Sequence, residues 1–272
     1  MGVERYLYDV TIYTYALSVL MYFSDFLQPN HRMNRAALGL LVVVWLSLAT
    51  VLVLRLLERQ FVPFFTTFDS LIFYAWAIVS FSMVINTFYR MDLFVFLANL
   101  VGFALAALSL FVRHDVPPSF SERLLSELLV IHVTFALVAY AFFLLSLLLA
   151  LLYLLLNDML KNKQWNKLVK RAPSLSQLEH LTYCVSMIGV PIYMLSLILG
   201  LIWAQKQAVH GFWYDPKVWL SFFALTVYIY YLYQRKSKHW SGRWLAYCNA
   251  FAFTIILFNL IISNSGHSFH RW

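Results

Sequence analysis

Charge is the scarcest commodity in this chain: Asp, Glu, Lys and Arg make up 12% of its 272 residues, where a soluble domain carries about 25%. A water-soluble globule is thereby excluded, because there is too little charged side chain to cover one. Cysteine is nearly absent. The two present, Cys184 and Cys248, lie inside apolar runs with no C-x-x-C around them, so neither a disulfide framework nor a thiol-redox motif is indicated and both are expected to pack as small apolar residues. No H-E-x-x-H, G-x-S-x-G or paired-carboxylate cluster occurs, so hydrolytic chemistry has no sequence support and the chain reads as a non-enzyme. The first apolar run lacks a small-residue cleavage site and therefore reads as a retained helix, not a signal peptide.

Apolar residues are what the chain has in excess, at 62%, or roughly 169 residues, enough for about eight bilayer crossings of about 20 each. Long apolar runs bounded by charge or proline predict helices near 6–27, 36–57, 64–88, 93–112, 124–156, 180–205, 217–234 and 243–264. The expected fold is an all-α integral membrane protein of about eight transmembrane helices, with residues 1–272 forming a single polytopic membrane domain. A strand barrel is excluded because the runs are too long and do not alternate.

The net charge of +8 is read as orientation rather than nucleic-acid binding. The connections after helices 1, 3, 5 and 7 hold twelve Lys and Arg residues against eight on the other side, and the two densest clusters, 161–171 and 235–243, fall together. That side is expected to be cytoplasmic, with both termini outside. The longest polar connection, about 157–178, is then a cytoplasmic basic loop. Its Lys161, Lys163, Lys167, Lys170 and Arg171 orient the helices and meet anionic lipid, or dock a cytosolic partner.

The chemistry-bearing residues gather on the predicted outer side. His132 lies about four residues inside the apolar start of helix 5, roughly 6 Å along it, and His267 immediately follows helix 8. The loop of about 203–219 between helices 6 and 7 also faces out and contains Trp203, Phe212, Trp213, Tyr214, Asp215, Pro216, Lys217 and Trp219. Two imidazoles can ligate haem iron, aromatic rings can cover a porphyrin, and lysines can meet its propionates. The same composition also suits an interfacial aromatic belt. His31, His180 and His239 fall on the inner side. Asp69, near the outer end of helix 3, is a functional candidate because intramembrane acids are costly, with a hydrogen-bonded structural acid as the alternative. Asn86, Asn99 and Asn259 are expected to be interhelical glue.

These residues carry a family resemblance. The stretch from Pro173 through Trp203-Ala204 to Tyr214-Asp215-Pro216-Lys217, together with His132, Gly266-His267-Ser268 and Thr67-Phe68-Asp69-Ser70-Leu71, resembles the CcsA, CcmC and HemX cytochrome c assembly superfamily from about residue 60 onward. The short eight-helix length is most similar to its HemX branch. The aromatic loop has Ala208 and Phe212 where haem-handling members carry tryptophans, and Tyr233, in Tyr231-Leu232-Tyr233, stands where such members have a histidine. The resemblance implies a multi-pass protein of the bacterial cytoplasmic (inner) membrane, with haem at the outer face on His132 and His267. It also implies a role in limiting glutamyl-tRNA reductase and so tetrapyrrole synthesis, with that enzyme or cytochrome c assembly components as partners beside the lipid bilayer. A haem-handling factor for c-type cytochromes and a cofactor-free membrane scaffold are the alternatives.

Overall fold

A computed structural model describes residues 2–58, 66–89, 91–112, 127–163, 169, 172–207, 212–237 and 240–263. Among these, the regular structure is entirely helical: α1 (Gly2–Leu27), α2 (His31–Glu58), α3 (Thr67–Tyr89), α4 (Asp92–Ser109), α5 (Glu127–Lys161), α6 (Leu175–Lys206), α7 (Pro216–Ser237) and α8 (Gly242–Ser263), with a 3₁₀ turn at Phe212–Tyr214. Seven of the eight are long and apolar enough to cross a bilayer. The other is α7, whose tyrosines and terminal Gln234, Arg235 and Lys236 dilute its apolar character, although its 22 residues reach about 33 Å. Large apolar side chains point outward on many helices, Leu46, Val53, Phe251, Phe258 and Ile261 among them, as a lipid-facing surface requires.

The chain divides into two compact units, Met1–Val116 and Pro117–Trp272. In the first, α1 packs on α2, α2 on α3, α3 on α4 and α4 back on α1. Its core, built around Tyr15, Leu41, Leu48, Ile72 and Val79, is pinned by Asn99: Tyr15 donates to its Oδ1 (3.0 Å), and its Nδ2 donates to Ser82 Oγ (2.9 Å). The expected glue role of Asn99 is thus met across three helices.

The second unit repeats the arrangement, α5 on α6, α6 on α7, α7 on α8 and α8 back on α5, with α5–α6 the most extensive interface. Thr182, Ser186, Gly189, Ser196 and Ala204 are buried on α6; their spacing keeps small side chains on one face, so backbones approach closely without a large apolar wedge. Phe143 stacks on Tyr228 at 3.9 Å between ring centroids. Two polar ties hold α8. Asn249 Nδ2 donates to Ser146 Oγ (2.7 Å) and Ser186 Oγ (3.1 Å), and Asn259 Nδ2 donates to Ser221 Oγ (2.7 Å).

The basic connection is shorter than expected. Asn157 to Lys161 complete the last turn of α5, and Ser174 and Gln177 form a capping box that starts α6 at Leu175. Polar residues that read as loop are helix ends whose backbone groups find partners. Lys163 takes a left-handed backbone (φ 52°) just beyond α5.

Candidate functional site

His132 is held near the N-terminal end of α5, against α6, by reciprocal hydrogen bonds. Its Nδ1 lies 2.7 Å from the backbone oxygen of Ser196. A carbonyl only accepts, so Nδ1 carries the proton. Ser196 Oγ donates in return to the backbone oxygen of His132 (3.0 Å) and lies 3.2 Å from Nδ1. With Nδ1 protonated, the neutral ring presents the Nε2 electron pair, the form in which imidazole ligates a metal. Among the described residues nothing hydrogen-bonds to Nε2.

Gly200 makes room for this ring. A Cβ there would stand 2.7 Å from His132 Cε1 and 2.8 Å from Nδ1, closer than ordinary contact. One turn further along α6, Trp203 is 6% exposed and its indole Nε1 has no acceptor among the described residues. A buried N–H left unpaired is costly and calls for a partner.

The start of α7 completes the region. Pro216 opens the helix, where its missing N–H costs nothing, and Asp215 Oδ1 accepts from the backbone N–H of Lys217 at 2.8 Å, an N-terminal cap. The Asp-Pro-Lys sequence therefore has a structural role as a helix start. The Lys217 ammonium lies within electrostatic reach of the His132 ring, which brings the α7 start to the His132 end of α5. Phe212 and Trp213 pack ring to ring at 4.7 Å, and Trp219 Nε1 donates to Trp213 O (2.7 Å). Trp213, Tyr214 and Trp219 are exposed, Tyr214 at 90%. The aromatic loop thus separates into one buried indole, Trp203 on α6, and an exposed group around the 3₁₀ turn.

The structure places Gly200, one turn from Trp203, against the His132 ring, with Lys217 within electrostatic reach of that ring and Asp215 capping the helix that carries Lys217. His267 lies outside the described residues; α8, which precedes it, is tied near its C-terminal end to Ser221 through Asn259, one turn from Lys217. Tyr233 is exposed and sits 16 residues beyond Lys217 on α7, roughly 24 Å along the helix, so it belongs to the opposite end of the unit. Asp69 belongs to the first unit. Its Oδ1 accepts from Arg55 (3.2 Å) and its Oδ2 from Thr66 Oγ1 (2.6 Å), and Arg55 also lies over the Phe68 ring at 4.2 Å. Asp69 is thus a hydrogen-bonded, ion-paired acid. Lys161 and Lys163 are exposed at the far end of α5; Lys167, Lys170 and Arg171 lie outside the described residues. The sequence reading missed Ser196 and Gly200, although Ser196, Gly200 and Ala204 recur every four residues as a small-residue face.

Residues 64–270 match the family described as cytochrome C assembly protein. The chain belongs to that family. Within it, the chain is of the HemX type: it is 41% identical to protein HemX of Brevibacillus brevis over the whole of both chains. Identity to protein HemX of Bacillus subtilis (strain 168) is 39%, covering 96% of this chain and 95% of the relative. The cytochrome c biogenesis protein CcsA of Guillardia theta is 23% identical over 91% of this chain and 89% of its own. No solved structure matches.

Proposed function

We propose that this HemX-type chain binds haem at the outer face of a bacterial cytoplasmic membrane and uses its occupancy to limit glutamyl-tRNA reductase, and so tetrapyrrole synthesis. The observation that carries the reading is His132, whose Nδ1 is engaged by Ser196 while no described residue hydrogen-bonds to Nε2. The surroundings fit the group: a buried indole N–H on Trp203 with no acceptor among the described residues, a cation at Lys217, and exposed rings on Trp213, Tyr214 and Trp219. His132 and His267 would supply imidazole nitrogen to the iron, Lys217 a counter-charge for propionates, and the exposed rings apolar cover. Bound there, haem would supply an iron centre able to take imidazole nitrogen.

Regulation needs a connection between this end and the cytoplasm. α5 carries His132 near one end and Lys161 at the other, so the helix that feels ligation leads directly into the basic loop with Lys163, Lys167, Lys170 and Arg171. Coupling follows if haem binds one arrangement of α5 and α6 more tightly than another.

Protein purified in mild detergent from haem-replete cells should show a Soret band, low-spin in the reduced state if both imidazoles ligate. His132→Ala or His267→Ala should lower occupancy or convert the iron to high spin, whereas His180→Ala and His239→Ala should do neither. Absence of haem after purification and after haem addition would sink the site. For the role, deleting the gene should raise the reductase level and leave c-type cytochromes intact. Loss of c-type cytochromes with unchanged reductase would favour a haem-handling role in assembly, which the exposed aromatic group beside Lys217 would also suit.

A further inference from the structure

A helix carbonyl is normally screened by the side chain four residues ahead of it. At Ser196 that position is Gly200, and the space a Cβ would fill is taken by the His132 ring, with Cε1, Nδ1 and Nε2 all inside 3.3 Å of it. The missing side chain therefore does two things at once: it uncovers the Ser196 oxygen for a second donor, and it forms a slot that sets the height of the imidazole. Ser196 Oγ closes the arrangement by donating to the backbone of His132, which fixes the register of α5 against α6 at this level.

We propose that Gly200 and Ser196 are positioning residues that lock His132 as its Nδ1–H tautomer and so keep the electron pair on Nε2. The inference deepens the haem reading and rests on it for its purpose, but its geometry exists without the cofactor. Partners that orient a ligating histidine typically change metal affinity by about 10–100-fold when removed. Gly200→Ala must push the ring from 2.7 Å out to the 3.4 Å of ordinary contact, a displacement of roughly 0.7 Å that stretches the Nδ1 bond past good geometry. Ser196→Ala keeps the carbonyl and should preserve the tautomer while loosening the register. Gly189→Ala is the matched control. Its Cβ would meet Phe143 at 2.9 Å, so it crowds the same α5–α6 interface far from His132.

Two readouts test this. In haem-free, ¹⁵N-histidine-labelled protein in detergent, the His132 signal, assigned by its loss in His132→Gln, should show a protonated Nδ1 and an unprotonated Nε2. Gly200→Ala should abolish that pattern, while Ser196→Ala and Gly189→Ala retain it. In haem titrations, Gly200→Ala should weaken binding by about 10–100-fold relative to Gly189→Ala. A wild-type His132 protonated on Nε2 overturns the proposal on its own, even if Gly200→Ala fails to accumulate. So does a Gly200→Ala protein that matches Gly189→Ala in both readouts. If the wild type binds no haem but shows the locked tautomer, released in Gly200→Ala, the haem reading fails and the positioning role stands.

Discussion

Asp69 accepts from Arg55 at 3.2 Å inside the first unit, with both side chains largely withdrawn from the surface. Removing one partner of a buried pair leaves the other charge uncompensated, at a cost of about 3–5 kcal/mol. Asp69→Ala should therefore lower the thermal unfolding temperature in detergent sharply. Asp69→Asn should lower it less, because it can keep the Thr66 contact, and Arg55→Met with Asp69→Leu should recover part of the loss. Haem spectra of these variants, once refolded, should match the wild type. A selective spectral change in Asp69→Asn would return this acid to the functional site.

Asp215 separates a helix cap from a cofactor contact. Asp215→Ala should destabilise the second unit by about 1 kcal/mol, the usual value of an N-terminal cap, while Asp215→Asn and Asp215→Ser should retain most of it. If the cap is its whole role, haem occupancy follows the same order as stability. Equal stability with lost occupancy in Asp215→Asn would show that its charge acts on the ligand.

Asn249 offers a double-mutant cycle with Ser146. Hydrogen bonds between membrane helices average about 0.6 kcal/mol and reach about 1.7, so a coupling of about 0.5–2 kcal/mol is expected from Asn249→Ala, Ser146→Ala and the double variant. Asn249 Nδ2 also donates to Ser186 Oγ, a contact that lies outside the pairwise term of this cycle. Chemical denaturation in mixed micelles measures it, and a coupling near zero would mean that the Asn249–Ser146 bond adds nothing to holding α8.

Topology rests on the basic clusters. Reporter fusions after residues 165 and 238 should be cytoplasmic and one at residue 210 external. The reverse pattern would put His132 and the aromatic loop on the wrong side for the proposed site. Neutralising Lys161, Lys163, Lys167, Lys170 and Arg171 together should weaken the effect on reductase level, provided fusions show that orientation survives.

Helix number and position were legible because apolar runs report burial in lipid. Helix ends were less so. The polar turns at Asn157–Lys161 and Ser174–Gln177 are helical through capping and backbone pairing, which hydropathy does not register. His132 stood out as an imidazole in an apolar run, whereas Ser196 acts through a backbone oxygen that is accessible only because residue 200 lacks a side chain. A single sequence names that glycine but not what occupies its empty space. Trp203 and Trp213 looked alike in one aromatic loop; the length of α6 divides them, burying the first and exposing the second.

Ring closure within the second unit also sets an order of assembly. α5 and α6 can pair as a hairpin, and α7 with α8, through contacts between chain neighbours, while among the described residues α8 packs extensively against α5 from far along the chain, a step that waits for loop-closure entropy to be overcome. His132 acquires its partners on Ser196 when the first hairpin forms. His267 follows α8 in the chain, so the second imidazole of the proposed site arrives only after α8. Stable cofactor uptake would then mark completion of the unit, and a chain stalled before α8 would hold a correctly poised histidine that retains nothing.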